Sequence, residues 1–396
     1  MPGRRFWLIA SAAAIALLAG APHGAGAESS SAQQPLVLTA TLDAEIDSAT
    51  AAYIGQAVDQ AEQEHAQALL VEMNTPGGLS DAMDSMVGSL LNSRVPTVVY
   101  VTPAGARADS AGLFVAQAAD VVAMAPGTNI GSAHPIDASG ADIGGDLRTK
   151  IVNDAVARIR DLAASHGRNA DWCEQAVRSS VNVSAQQAVG LHVADLLASD
   201  RAQLLAALDG RQLPRPHATP VTLHLAGART EAFAMPIQLS LLGLIINPNV
   251  AYLLLLLAIF GLIAEVTTPG AILPGVVGVI SGVLALVAFT NLPVNIAGIL
   301  LMLFAFVLFV IDLKAPTHGV LTAGGIASLV LGSVFLFDTQ KLGGAAGLSP
   351  WLIAVAALAA AGLFGFVLGK AVRARGRPAY DMTGPAPRPG EREEVR

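Results

Sequence analysis

From residue 249 to residue 370 the chain carries almost no charge, and that alone rules out a wholly soluble fold. A helix needs about 20 apolar residues to cross a hydrocarbon core of about 30 Å. Five runs approach or reach that length, roughly Val250 to Ile263, Ala271 to Phe289, Ile296 to Ile311, Val320 to Phe337 and Trp351 to Leu368. The first and third are short and must borrow flanking residues. The breaks between them are Thr267-Thr268-Pro269-Gly270, Asn291-Leu292-Pro293, Asp312 to Gly319 and Asp338 to Pro350. Charged residues are 13% of the whole chain, against about 25% in a soluble domain. The expectation is an all-α bundle of about five transmembrane helices over residues 249–370. Phe233 to Ile246 is apolar but carries Pro236, so residues 231–248 read as an interfacial helix and linker.

Both ends of the chain carry addresses. Arg4 and Arg5, the apolar run Phe6 to Leu18 and the small residues Ala25-Gly26-Ala27 make residues 1–27 a signal peptide, the other reading being an uncleaved anchor. Either way the next domain is exported. With five spans the C-terminus is then cytoplasmic, and Lys370, Arg373, Arg375 and Arg377 agree with the positive-inside rule. The tail, residues 371–396, is too polar and short to bury a core and is expected to be disordered. The chain is thus expected to be a multi-pass protein of the cytoplasmic (inner) membrane.

Residues 28–230 read as a soluble α/β domain. Strands are predicted at Pro35 to Leu42, Ala68 to Met73, Thr97 to Val101 and Val121 to Met124. Helices are predicted from Asp47 or Ser48 to about His65, at Ser80 to Asn92, at Ala111 to Ala119 and at Leu147 to Ser165, with further helical turns in Ser184 to Leu205. Strands alternating with helices imply a mostly parallel sheet. Arg211 to Thr230 reads as a linker or short hairpin, and the glycine-rich loop from Ser132 to Gly145 as mobile.

Several functions are excluded. The net charge is −7 with no basic patch before the tail, so no nucleic-acid partner is expected. Cys173 is the only cysteine, which excludes an intramolecular disulfide and a cysteine zinc site. Nothing resembles a P-loop. Neither a cofactor nor a metal is expected.

Three places can carry chemistry. Asn74-Thr75-Pro76-Gly77-Gly78 lies at the C-terminal end of a predicted strand, where sites sit in open α/β sheets. Its glycines leave N–H groups that can stabilise an oxyanion, or form an ordinary turn. Ser110 opens a helix, so its oxygen lies near a positive dipole end. Ala111 and Gly112 leave room for a substrate, while the plainer reading of Ser110 is a helix cap. A serine nucleophile needs a base. His65, His134, His166 and His192 are available without a signature, and Lys150 is the one lysine between Glu28 and Asn249. A lysine acts as base only where burial lowers its pKa. The alternative is a solvated Lys150 paired with Asp154 at i,i+4.

Taken together, Asn74-Thr75-Pro76-Gly77-Gly78-Leu79, Ser110-Ala111-Gly112, Ala123 to Gly131 and Lys150 with Asn153-Asp154 resemble the NfeD family, membrane-bound ClpP-class serine proteases. Asn247-Pro248-Asn249-Val250-Ala251-Tyr252 and Thr268 to Gly275 extend the resemblance into the spans. It covers roughly residues 35 to 370. The resemblance implies a ClpP/crotonase-like fold of ββα units, a Ser110–Lys150 dyad, an oxyanion hole bordered by Gly77 and Gly78, and the amide of Ala111 as a second donor. It also implies a homodimer or larger homo-oligomer, and cleavage of hydrophobic segments of a stomatin-like membrane partner. Asp109 beside Ser110 and Asn74 in place of Asp depart from the family pattern, and a C-terminal barrel of OB type is not expected. A non-catalytic scaffold for a stomatin-like protein is the alternative function.

Overall fold

The computed structural model describes residues 34–135, 145–216, 218–267, 272–314, 319–337 and 348–375. The signal peptide, most of the glycine-rich loop after Ser132, the Thr268-Pro269-Gly270 break and the tail beyond Arg375 lie outside them.

The soluble part is β1 (Leu36–Asp43), α1 (Ser48–Gln63), β2 (Ala68–Asn74), α2 (Ser80–Leu91), β3 (Thr97–Val101), β4 (Arg107–Asp109), α3 (Ala111–Ala118), β5 (Val121–Met124), β6 (Asn129–Gly131), α4 (Gly145–Ser165) and α5 (Ala170–Ser179). It continues with β7 (Asn182–Ser184), α6 (Ala185–Gly190), β8 (Leu196–Leu197), α7 (Arg201–Leu208), β9 (Gln212–Leu213), β10 (Val221–Thr222) and β11 (Arg229–Ala232). Six strands form one parallel sheet in the order β11-β1-β2-β3-β5-β8. Strand β3 shows why: Thr97-Val98-Val99-Tyr100-Val101 is β-branched or aromatic and buried at every position, as a strand covered on both faces must be. Val99 and Val101 point into the core under the large helices. Val98 and Tyr100 point into the opposite core, with Leu204 and Leu208 of α7 and Leu213 of β9. A capping box starts α1: Asp47 Oδ1 accepts from the Thr50 amide, and Thr50 Oγ1 accepts from the Asp47 amide, both at 2.8 Å.

A second, small sheet explains the ββα description. Strand β4 runs parallel to β6, β6 pairs antiparallel with β7, and Thr75 bridges to Ala108 in parallel. The chain therefore repeats a large-sheet strand, a small-sheet segment and a helix: β2–Thr75–α2, β3–β4–α3 and β5–β6–α4. All the large-sheet strands are parallel, so their C-terminal ends and the segments after them share one edge. This is the ClpP-like α/β arrangement that the motifs implied.

The structure adds elements that the sequence pattern did not reveal. Helix α5, the three-residue strands β4, β6 and β7, and β8 are new. The hairpin β9–β10 falls inside the segment read as linker or hairpin. Strand β11 then returns to pair with β1, so the sheet continues to Ala232.

The apolar half is α8 (Ile237–Ile245), α9 (Pro248–Thr267), α10 (Ile272–Asn291), α11 (Ile296–Lys314), α12 (Val320–Phe335) and α13 (Pro350–Arg375). Pro236 starts α8, whose Ile237, Leu241 and Leu244 are exposed, as an interfacial helix requires. Helices α9 and α10 are long and apolar enough to cross a membrane. The apolar parts of α11, α12 and α13 are shorter: Ile296–Asp312, Val320–Phe335 and Pro350–Gly365. Helix α9 meets α12 through Tyr252 and Ser333, whose hydroxyls lie 2.8 Å apart. Helix α13 continues to Arg375, so residues 371–375 are helical rather than disordered.

The two halves touch beside the small sheet. Ser48 Oγ donates to Asn291 Oδ1 at 3.2 Å, joining the start of α1 to the end of α10. Leu79 packs against both the domain core and the membrane core.

Candidate active site

The turn between β4 and α3 is built around Ser110. Its backbone has φ 55° and ψ −120°, a region that non-glycine residues seldom occupy and that costs about 1–3 kcal/mol. Two things hold it there. The Ser110 amide donates to the Gly131 carbonyl at 2.9 Å, an extension of the β4–β6 pairing. Helix α3 behind it is buried at all eight positions, so the turn cannot relax outward. The helix-cap reading fails here. Ser110 Oγ caps nothing and makes no hydrogen bond among the described residues. The Ser110 hydroxyl is thus left free and half-buried on a strained strand-to-helix turn.

Opposite it lies Thr75-Pro76-Gly77-Gly78. Gly77 has φ 109°, and a Cβ placed on it would come 2.5 Å from Ser110 Cβ. Only glycine lets this backbone lie against the serine. The Gly77 amide donates to Thr75 Oγ1 at 3.1 Å, and its carbonyl accepts from the Ile46 amide at 2.8 Å. Gly78 (φ 159°) lies on the Ile46 backbone, where a Cβ would come 2.1 Å from the Ile46 oxygen. Its own amide has no acceptor among the described residues. The two glycines therefore divide the work. Gly77 makes the turn, as the plain reading of Pro-Gly-Gly supposed, and Gly78 keeps a free donor. The amide of Ala111, in the first turn of α3, is likewise without an acceptor. The space at Gly112, expected to admit substrate, is occupied instead: a Cβ there would meet Thr75 Cγ2 at 2.6 Å.

The departures from the family pattern have local explanations. Asp109 neither caps α3 nor bonds Ser110. Its Oδ1 accepts from Asn182 Nδ2 at 2.6 Å, and Arg107 lies 3.9 Å away. Burial pushes its carboxyl above the usual range, against the opposing pull of Asn182 and Arg107. Asn182 also donates to Ser132 Oγ at 2.9 Å and accepts from Asn129 at 2.9 Å, so it ties β4, β6 and β7 together. Asn74 donates to Asp43 Oδ1 at 2.8 Å and accepts from the Arg107 amide at 3.1 Å. An aspartate there would face the Asp43 carboxylate, which an asparagine avoids.

Lys150 is the residue the structure does not bring in. It stands exposed in the first turns of α4, a helix that packs on α3 and α5. Among the described residues it pairs with neither Ser110 nor Asp154. No histidine among the described residues hydrogen-bonds Ser110 either. Sequence reasoning missed Ile46, which pairs with Gly77 and Gly78 through its backbone, and Asn182, whose side chain ties Asp109 to the small sheet; Thr75 and Gly131 it named only as motif members, without these roles.

Comparison with known proteins agrees with this architecture. Residues 36–206 match the N-terminal domain family of NfeD1b, and residues 249–370 match the NfeD integral membrane domain family. The chain is 35% identical over 306 residues to the membrane-bound protease PH1510 of Pyrococcus horikoshii, covering 76% of this chain and 69% of that protein. It is 26% identical over 316 residues to the membrane protein NfeD1b of Bacillus subtilis, covering 77% and 68%. A solved structure of the 1510-N membrane-bound stomatin-specific protease, a lysine-to-alanine mutant in complex with a substrate peptide, superposes with a TM-score of 0.50. It is 31% identical and covers 53% of this chain and 96% of that one.

Proposed function

The chain belongs to the NfeD family of membrane proteins, and from that premise we propose that it is a membrane-anchored, ATP-independent serine endopeptidase with a Ser110–Lys150 dyad. The observation that carries the reading is the unbonded Ser110 hydroxyl, held on a strained turn beside the unbonded amides of Gly78 and Ala111. Ser110 Oγ attacks the scissile carbonyl while neutral Lys150 Nζ takes its proton. The amides of Gly78 and Ala111 receive the oxyanion of the tetrahedral intermediate. Lys150 returns the proton to the leaving amine, which departs and leaves an acyl-serine. Water, deprotonated by Lys150, then releases the acid product and regenerates Ser110.

Lys150 must leave solvent for this chemistry. Burial, which disfavours the charged form, is what makes a lysine a base. Bound substrate, covering Ser110 and the first turns of α4, supplies that burial. The site is therefore assembled by its substrate rather than poised in advance.

The proposed substrate is an apolar segment of a stomatin-like membrane protein, in keeping with the stomatin-specific protease that the chain resembles. The catalytic domain, ending at Ala232, is placed outside the cytoplasmic membrane and the basic tail inside it. The chain works as a homodimer or larger homo-oligomer.

The exposed, unpaired Lys150 favours a second reading, a scaffold that holds a stomatin-like protein without cutting it. The full chain in detergent, with Ser110→Ala and Lys150→Ala beside it, separates the two on apolar peptides. Turnover lost in both variants supports the dyad. Folded wild type that binds the peptide, yet neither cleaves it nor labels with a fluorophosphonate at Ser110, supports the scaffold.

A further inference from the structure

The loop that carries Gly78 does not end in solvent. It runs into a cavity of about 230 Å³ between the soluble domain and the membrane helices. Ile46, Gly78 and Leu79 line one side, and Ile246 and Leu292 the other. An apolar cavity of about 150 Å³ accepts a benzene ring, so this one has room for a large aliphatic or aromatic side chain. We infer that it is a substrate side-chain pocket built jointly by the catalytic loop and the membrane bundle, with Leu292 and Ile246 as specificity-determining residues.

Three observations lead there. The cavity is continuous with the candidate oxyanion donor: Gly78 is one of its walls, and Gly77 next to it touches Ser110. A peptide whose carbonyl sits at Gly78 therefore lies against a wall of the cavity. The far wall is rigid. Leu292 and Ile246 are buried, and the Ser48–Asn291 hydrogen bond fixes the end of α10 to the start of α1. The chemistry of the lining selects the occupant. Ile46, Leu79, Ile246 and Leu292 give the cavity aliphatic surface, Asn247 and Asn291 add neutral amides, and Glu45 and Asp47 add carboxylates, so a neutral side chain with an apolar body fits and an acidic one is repelled. Ile246, just after α8, and Pro248, at the start of α9, both line it, which puts the cavity at the junction with the apolar half of the chain.

This inference rests on the protease reading, and its test separates the two. The full chain in lipid nanodiscs is assayed with apolar peptides scanned one position at a time through Ala, Leu, Phe and Glu. Turnover is measured on the active chain and peptide binding on Ser110→Ala, each with Leu292→Ala and Leu292→Phe. At one position the parent chain should prefer Leu over Ala by about tenfold, the size expected for a few methylenes in a pocket. Leu292→Phe should reduce that preference to within about twofold, and Leu292→Ala should move the optimum to Phe. The opposite directions guard against a variant that is merely unstable, and either alone suffices if the other does not fold. Identical profiles in all three chains overturn the pocket, and with turnover intact they leave the protease standing. Binding profiles that follow Leu292 without any turnover keep the pocket and remove the protease.

Discussion

Gly77→Ala should inactivate the chain without unfolding it. The added Cβ would come 2.5 Å from Ser110 Cβ, while carbon atoms pack at about 3.5–4.0 Å. One side must therefore move by about 1 Å. Ser110 is already in a strained conformation fixed through Gly131, so movement there distorts the turn that aims its hydroxyl. A misplacement of about 1 Å costs on the order of 100-fold in rate, or about 2.7 kcal/mol of barrier. The backbone adds its own cost, because φ 109° is unfavourable to alanine by about 1–3 kcal/mol. For a domain of this size that lowers Tm by about 2–12 °C. Gly105→Ala is the control: φ is 90°, but nothing lies within 4 Å of the added carbon. It carries the backbone strain without the collision. Peptide turnover, fluorophosphonate labelling of Ser110 and thermal unfolding of the full chain in detergent measure all three effects. Gly77→Ala activity within about threefold of wild type, at the Tm of Gly105→Ala, would show that the contact does not constrain the serine.

Two further outcomes follow from single groups. Asp109 has its folded-state pKa raised by burial, so its protonated form is favoured, and the stability that form brings is lost as pH rises through the folded value. Asp109→Asn keeps the bond from Asn182 and escapes that loss. Its Tm relative to wild type should be higher at pH 7 than at pH 4, and a flat or inverted difference would contradict the assignment. Cys173 is wholly buried, and burial pushes its thiol up to about 12. An aromatic disulfide reagent at pH 8 should therefore leave it unmodified in the folded chain and react fully after denaturation.

The strands that build the large sheet were legible because burial on both faces demands unbroken apolar runs, such as Ala68 to Val71 and Val98 to Val101. The small sheet was not. Arg107-Ala108-Asp109 and Asn182-Val183-Ser184 have no pattern at three residues, and they are strands only because their partners arrive from elsewhere. Helix α5 was readable and went unread: Asn169 caps it, and Trp172, Cys173, Ala176 and Val177 repeat at helical spacing. At the site, sequence named Ser110, Gly77, Gly78 and Ala111 but could not divide their roles. Serine before a helix also reads as a cap. Which glycine amide stays free depends on Thr75 Oγ1 and Ile46, and no local pattern encodes that. The exposure of Lys150 depends on how α4 lies, which is likewise a tertiary fact.

The pairing of β11 with β1 sets an order on how the molecule is made. Thr39 Oγ1 reaches the Glu231 carbonyl across 192 positions of sequence, so the first strand waits for the last one before its outer edge is closed. Until then β1 offers a row of unpaired backbone groups, the template on which a second chain can add. The strand that closes it is followed at once by the membrane: residues 233–236, about 14 Å when stretched, separate β11 from α8. A nascent chain emerging N-terminus first thus completes its sheet only once Ala232 has been made, four residues before α8 begins. Closure of the sheet is therefore a late event, and a chain cut before Arg229 is left with an unsealed seam.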